Sequence, residues 1–391
     1  MSNHRPESPS VNPDYPGLTK TTVTLPTDWY LDQRHFEHEL NHIWYTHWVS
    51  LCRAEDLPSP GDYKTFMIGS QGIIVLRDEQ GVLRAFHNTC RHRGSILLTE
   101  ASGQLDKATR ILCPYHCWAY SSQGELLRTG RGSTPDDFIA SDYSLYSIAI
   151  EEWRGFVYAN LDPDVATGVS EAFDEYSVSL DNWPLEELRR GYQYEKVLNC
   201  NWKLFWENFN ECLHCPNVHP DLCRVVPIYK RGFMEAFDDP QWQAGRSDEP
   251  QYAGGLAEGA ETWSSDGRST GHTFELLSAA ERQAGHNYAM LMPSMFIVAH
   301  VDHVRTVQLL PLSPTSTALR ADWYFPQAAL QDDAVDVKQF ATFARQVIDE
   351  DGRAAELNQR GLANKAHKQG VLMAEEYDVH RFQQWVRNCL Q

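Results

Sequence analysis

Between Asn201 and Pro220 the chain carries two histidines, His214 and His219, with a carboxylate, Glu211, three positions before the first. On a helix Glu211 and His214 share a face, and Asn208 lies one turn further back on it. Pro216 predicts the end of that helix, because it has no backbone donor and pushes Cys215 out of helical geometry. His219 then returns from a short loop. Two neutral imidazoles converging from a helix end and its loop make half of a metal site, which needs a third, anionic ligand from elsewhere. Taken alone, the pattern competes with a plainer arrangement in which His214 packs in a core and His219 lies on the surface.

Upstream, two short stretches each offer one cysteine and one histidine: Cys90-Arg-His92-Arg-Gly94 and Cys113-Pro-Tyr-His116-Cys-Trp118. Structural zinc sites more often pair cysteine with cysteine and histidine with histidine. One of each from two β-turn loops fits a Rieske [2Fe–2S] centre, where two thiolates hold one iron and two imidazoles the other. Neutral imidazoles in place of thiolates make such a cluster easier to reduce, with potentials of roughly −150 to +300 mV. Gly94 and Pro114 suit tight loops closing over it. A zinc-ribbon variant is the competing structure.

These stretches need a scaffold, and the pattern around them changes character along the chain. Residues 1–20 read as a flexible arm. A helix follows, capped by Thr27 or Asp28, with Leu31, Phe36, Leu40, Ile43 and Trp44 at helical spacing. From about Val49 to Leu161 short runs such as Tyr63–Ile68, Ile73–Arg77, Val82–Phe86, Leu126–Arg128 and Phe156–Leu161 alternate with glycine-bearing turns. That is the pattern of a small antiparallel sandwich or barrel. Residues 165–190 read as a surface helix followed by Asn182-Trp-Pro, and Tyr192–Cys200 as a strand leading into the histidine stretch. Residues 235–285 form a long polar excursion. Apolar runs at Tyr288–Met292, Met295–His300, Val304–Pro311 and Ala318–Phe325 predict a second sheet, and from Pro326 the pattern is helical.

Length and composition bound the possibilities. At 391 residues the chain is long enough for two domains. A formal charge of −19 argues against a nucleic-acid partner, which requires a basic footprint. No apolar run reaches the length of a membrane span, and the stretch from Met1 to Pro16 holds no apolar signal core. The nine cysteines are dispersed, several beside histidines, which suits a reducing cytoplasm and metal chemistry more than a disulfide framework.

With both sets of residues in view, nearly the whole chain resembles the catalytic (alpha) subunit of a Rieske non-heme iron oxygenase. Asn208, Glu211, His214 and His219 match the family's iron-site pattern N-x-x-D/E-x2-H-x4-H. The resemblance implies an α+β chain: an all-β Rieske domain inserted in a helix-grip (START-like) catalytic domain with an antiparallel sheet. The expected divisions are an N-terminal arm and helix over 1–46, the Rieske domain over 47–162 and the catalytic domain over 163–391. Cys90, His92, Cys113 and His116 would hold the [2Fe–2S] cluster. Cys117 has no cysteine to match it in the first loop, so the disulfide clamp of other Rieske proteins is expected to be absent.

The same resemblance supplies the missing iron ligand. Glu350-Asp351 through Glu356, Gln359 and Gly361 is similar to the family signature E-D-x4-E-x2-Q-x-G-L. Its register selects Asp351 over its neighbours Asp349 and Glu350; without that register, the acidic triplet would read as a solvated helix start. His214, His219 and Asp351 would leave open positions on a mononuclear Fe(II) for O2 and a nearby substrate. Family members form head-to-tail trimers in which the cluster of one subunit faces the iron of the next. A carboxylate hydrogen-bonds a histidine on each side, the position held here by Glu211, with His116 favoured over His92 as the cluster-side partner.

A glutamate at that position most resembles the glycine betaine, stachydrine and carnitine monooxygenases. This implies hydroxylation of an N-methyl group and loss of formaldehyde. A quaternary ammonium is held by aromatic faces, for which Trp206, Phe209, Tyr252, Trp263, Phe274, Tyr288 and Phe296 are candidates, with Met290 and Met292 as further pocket walls; core packing is the alternative for each. No flavin site, second iron–sulfur motif or dinucleotide fingerprint is visible, so a separate NAD(P)H-dependent reductase is expected. Two other readings stay open: a hydroxylase or dioxygenase of aromatic acids or rings, and an electron carrier without oxygen chemistry.

Overall fold

Tight turns organise the β-rich part of the chain. The buried carboxylate of Asp78 accepts the backbone N–H groups of Gln80 at 2.9 Å and Val82 at 2.8 Å, and Arg84 Nε at 3.0 Å. Gly81 takes a φ of 80°, which the reversal requires. Gln71–Arg77 therefore folds back on Leu83–His87 with Ile74 opposite Phe86. The computed structural model describes residues 16–105, 110–173, 180–235 and 255–391. The chain divides into two units, one of Glu37–Ser177 with Met290–Phe296 and one of the remainder.

The first unit holds a seven-stranded sheet, in the order Val49–Arg53, Phe156–Asn160, Ser147–Trp153, Leu83–His87, Gln71–Arg77, Asp62–Ile68, Ser102–Gln104. A three-stranded sheet of Arg110–Leu112, Ala119–Ser121 and Leu126–Arg128 accompanies it. Ile74, Leu76 and Phe86 from one sheet pack with Ile111, Tyr120 and Leu126 from the other, and Cys90, Cys113 and Trp118 belong to the same core. Gly124 sits between the last two short strands with a φ of 87°, and a Cβ there would stand 2.5 Å from Phe86. Gly124→Ala is expected to destabilise this unit by about 1–3 kcal/mol. A thermal melt followed by cluster absorbance checks it, and an unchanged midpoint would contradict the packing described.

The second unit is built on a five-stranded antiparallel sheet in the order Arg189–Leu198, Ser316–Phe325, Val304–Ser313, Met295–His300, His286–Leu291. A 26-residue helix, Val337–Leu362, starts where the Asp336 side chain accepts Lys338 N–H. Phe340, Phe343, Ala344, Val347, Ile348 and Ala355 recur at three- and four-residue steps and are buried. Gly352 lets the helix approach the sheet, since a Cβ there would stand 2.8 Å from Leu198. The antiparallel sheets and segregated helices match the expected α+β class.

Three local expectations are corrected. The helix near the N-terminus is not uniform: a 3₁₀ turn at Thr27–Tyr30 precedes an α-helix at Gln33–Glu39, which widens into a π-turn at Leu40–Trp44. The widening buries Leu40, Ile43 and Trp44 together. Of the surface helix expected over 165–190, only Val169–Ala172 is helical among the described residues. The C-terminal part also contains a strand, Val371–Leu372, which pairs with Thr22–Val23. No helix among the described residues is long and apolar enough to cross a membrane.

Candidate functional site

The histidine stretch folds differently from its sequence pattern. The helix Trp202–Phe209 is capped by the Asn201 side chain accepting Lys203 N–H at 3.1 Å. It ends at Asn210, whose Nδ2 turns back onto the Trp206 carbonyl at 2.8 Å. Pro216 does not end this helix; it lies in the first turn of a separate one, Cys215–Val218, where a missing N–H costs nothing. Glu211 and His214 are therefore neighbours through a turn. Glu211 Oε2 accepts Leu213 N–H at 2.5 Å and His214 N–H at 3.3 Å, while Oε1 accepts His214 Nδ1–H at 2.6 Å.

The same turn places Cys212 and Cys215 with Cα atoms 5.0 Å apart, and they form a disulfide. This corrects the expectation of dispersed free thiols for that pair. Cys90, Cys113, Cys117, Cys200 and Cys223 are free thiols.

His219 follows the short helix and is buried. Its Nδ1 donates to Glu350 Oε2 at 2.7 Å, and Gln346 Nε2 holds the other Glu350 oxygen at 2.9 Å. The opposite nitrogens of both rings meet Asp351: His219 Nε2 lies 2.7 Å and His214 Nε2 3.3 Å from Asp351 Oδ1. Asn208 Nδ2 approaches the same His214 nitrogen at 3.4 Å. The three consecutive acids thus do different work. Asp349 accepts Tyr194 Oη–H and Lys196 Nζ on the neighbouring strand, Glu350 orients a ring, and Asp351 joins the histidines. Glu356 and Gln359 accept the backbone N–H groups of Asn199 and Asn201, tying the long helix to the start of the histidine stretch.

Both Nδ1–H groups are committed to carboxylates, so both Nε2 lone pairs face an anionic oxygen. His214, His219 and Asp351 are the one group of three such donors among the described residues, with their ligand atoms within 4.8 Å of one another. Three convergent acceptors demand protons or a cation. Burial works against a charged imidazole, but Asp351 and Glu211 outweigh it and push His214 up to about 9. Burial likewise disfavours ionised Asp351, yet the two histidines hold its carboxyl below the usual range. Two imidazoles and one carboxylate fit non-heme iron(II), and catalytic zinc uses a similar set. Glu350→Ala is expected to lower iron affinity about 10- to 100-fold, as loss of an orienting carboxylate does elsewhere. Iron titration of the metal-stripped protein checks it, and unchanged affinity would contradict the orienting role.

The two Cys-His loops form a second donor set. Gly94, at a φ of 75°, closes the first by donating to the Cys90 carbonyl at 2.9 Å. The second is closed by Cys113 N–H to the Trp118 carbonyl at 2.8 Å and Cys117 N–H to the Cys113 carbonyl at 3.1 Å. Gly130 packs beneath it, where a Cβ would stand 2.2 Å from the His116 carbonyl. Cys90 and Cys113 are buried, while His92 is exposed and His116 half-buried. The imidazoles lie edge to face at 4.7 Å, and His92 stacks on Trp118 at 4.9 Å. Tyr120 Oη meets Cys90 Sγ at 3.2 Å. Burial pushes the Cys90 thiol up, and Cys113 adds to the shift. A sulfur pair inside and an imidazole pair at the rim suit a two-iron cluster.

The aromatic candidates separate. Phe209 packs edge to face on Tyr288 at 5.6 Å, and Tyr288 Oη lies 2.5 Å from Tyr229 Oη. Trp263 meets Tyr229 at 5.9 Å. Trp206 instead stacks on Phe382 in the core. Phe274 is buried at the backbone of Val301. Met290, Met292 and Phe296 fall in the segment grouped with the first unit, and Tyr252 lies outside the described residues. Sequence reasoning missed Tyr229, His286, His300 and Arg305, which cluster around Trp263. Their signal was slight: Arg305 falls inside the run Val304–Pro311, and His300 closes the run Met295–His300.

Comparison with known proteins bears on both donor sets. Residues 47–135 match the Rieske [2Fe–2S] domain family, and residues 185–391 match the family "Ring hydroxylating alpha subunit (catalytic domain)". The chain is 28% identical over 393 residues to the glycine betaine monooxygenase oxygenase subunit of Chromohalobacter salexigens, covering 94% of this chain and 86% of that protein. It is 28% identical over 358 residues to the carnitine monooxygenase oxygenase subunit of Escherichia coli (strain K12), covering 90% and 88%. The fold is shared with a quaternary ammonium Rieske monooxygenase whose solved structure was described for carnitine oxidation by gut microbiota and inter-subunit electron transfer, at a TM-score of 0.68 and 21% identity over 95% of this chain and 96% of that one. Since the alpha-subunit family spans more than half of the sequence and the Rieske family precedes it, the chain belongs to the Rieske non-heme iron oxygenases, which carry a [2Fe–2S] cluster and a mononuclear iron.

Proposed function

We propose that this chain is the oxygenase component of a monooxygenase that hydroxylates an N-methyl group of a quaternary ammonium, betaine-like substrate. The observation that carries the reading is the meeting of His214 Nε2, His219 Nε2 and Asp351 Oδ1, with both rings anchored from behind by carboxylates. In this assignment His214, His219 and Asp351 hold the mononuclear iron, and Cys90, His92, Cys113 and His116 hold the cluster. When bound, the iron would supply O2 activation and the cluster would supply electrons one at a time. Similarity to betaine and carnitine monooxygenases along nearly the whole chain supports the substrate class. The faces of Phe209 and Tyr288 suit a cation that has no proton to donate.

The net reaction takes the substrate, O2, two electrons and two protons to an N-hydroxymethyl product and water. Loss of the hydroxyl proton to solvent then forms the carbonyl and breaks the C–N bond, whose electron pair goes to nitrogen, releasing formaldehyde and the demethylated tertiary amine. A separate NAD(P)H-dependent reductase provides the electrons. In a head-to-tail trimer Glu211 links His214 to a cluster histidine of the neighbouring subunit, His116 rather than His92. Reductase-coupled O2 uptake across a panel of betaines and aromatic acids tests the proposal. Formaldehyde formed in step with O2 uptake on a betaine is the expected result. Uptake only with aromatic acids would overturn the substrate class.

A further inference from the structure

The strand Val304–Ser313 carries a buried cation that no described residue pairs by a hydrogen bond at Nε or Nη1. Arg305 is 4% exposed, and its Nε and Nη1 have no hydrogen-bond partner. Two carboxylates of the same unit, Asp302 and Asp351, are engaged elsewhere. Asp302 accepts Thr262 Oγ1–H, His303 Nδ1–H and Thr270 N–H, and Asp351 is held between two histidines. An arginine does not discharge by deprotonation, so its position calls for an anion that no described hydrogen bond supplies.

The neighbours repeat the same lack. The guanidinium lies 5.6 Å from the ring centroid of Trp263, whose Nε1–H is buried without an acceptor. His286 and His300 pack on Trp263 at 5.0 and 5.2 Å. Both nitrogens of His300 are also buried and unpartnered. Burial keeps both rings neutral, with His286 pushed down to about 3 and His300 well below its ordinary value. A charged fork, an indole donor and neutral imidazoles together make a place for a planar oxyanion.

We infer that Arg305, with Trp263, His286 and His300, forms an anion subsite that takes the carboxylate of a zwitterionic substrate. The inference rests on the proposed reading of the site as one for quaternary ammonium compounds. It adds that the substrate is a betaine and not a simple cationic alcohol. The orientation follows from the rings. His286 Nε2 meets Tyr229 Oη at 3.0 Å, Tyr229 bonds Tyr288, and Tyr288 packs on Phe209, the residue after Asn208. A substrate with its carboxylate at Arg305 extends its methylated nitrogen along Tyr288 and Phe209 toward Asn208, whose Nδ2 lies 3.4 Å from His214 Nε2.

The test uses the full iron-loaded chain and calorimetric binding of glycine betaine, choline and acetate, with thermal midpoints for each protein. Choline replaces the carboxylate by a hydroxymethyl group and keeps the cation. The parent is expected to prefer betaine, and Arg305→Met to lose betaine affinity on the order of 100-fold, bringing the betaine-to-choline ratio toward one. Arg305→Lys, which keeps the charge without the fork, is expected to fall between. Removing an unpaired buried charge is expected to leave the midpoint equal or higher, which a merely structural arginine would not. If no quaternary ammonium binds but acetate binds in an Arg305-dependent way, the subsite stands and the substrate class falls. Carboxylate binding independent of Arg305, or equal losses for betaine and choline with a lowered midpoint, overturns the subsite.

Discussion

Replacing Asp351 with alanine is expected to leave two irons per chain where the parent holds three, and to abolish substrate-coupled O2 uptake. Both Nε2 nitrogens approach Asp351 Oδ1, at 2.7 and 3.3 Å. Without it the two imidazoles retain their anchors on Glu211 and Glu350 but face each other with no anion between them. A divalent cation then loses its charged ligand and half of its neutralisation. The loss should exceed the roughly 10- to 100-fold produced by orienting residues such as Glu350. The Rieske absorbance should persist, because Cys90 and Cys113 lie in the separate core of the first unit. Metal analysis beside a visible spectrum decides the matter, and a third iron retained at full occupancy would remove Asp351 from the centre. The parent site also carries a sign for pH. Burial opposes the charge on His214, but Asp351 and Glu211 push its pKa up to about 9. A metal must displace that proton, so iron affinity rises as pH approaches 9 and weakens as it falls.

The β architecture was legible because its signals are local. Alternating runs and glycine turns such as Glu79-Gln80-Gly81 fix a hairpin without help from distant residues. The histidine stretch was legible in composition but not in shape. Pro216 reads equally as the end of one helix or the first turn of another, and Asn210 folding back on Trp206 decides between them. Spacing alone did not distinguish Asp349, Glu350 and Asp351. Their separate roles depend on Lys196, His219 and His214, which are far away in sequence. The Arg305 cluster was missed for a related reason. Strand periodicity records which residues are buried, not whether their polar atoms find partners. The Cys212–Cys215 disulfide depends on a turn that the helical reading did not contain.

Glu211→Gln is expected to keep all three irons and to slow electron transfer between the cluster and the mononuclear centre by about 10- to 150-fold. The distinction rests on what each carboxylate oxygen does. Oε1 accepts His214 Nδ1–H at 2.6 Å, a role that a glutamine carbonyl retains. His214 thus stays oriented and iron loading survives. Oε2 caps the turn through Leu213 and His214 N–H, and the side chain is still 13% exposed. In the proposed trimer its remaining lone pairs accept a cluster histidine of the neighbouring subunit. Glutamine presents an NH2 group there, so N–H donors oppose each other across the subunit boundary, and the Leu213 and His214 N–H groups lose their acceptor within the turn. Loss of a hydrogen bond to a charged group costs about 1.5–3 kcal/mol, which sets the expected range of rates. Single-turnover kinetics of the chemically reduced protein isolate the step from the reductase. Glu211→Asp should recover part of the rate, since it restores the charge with a shorter reach. A glutamine variant with normal single-turnover rates and full iron would make Glu211 a residue that only positions His214, and the electron path would then have to cross the boundary elsewhere.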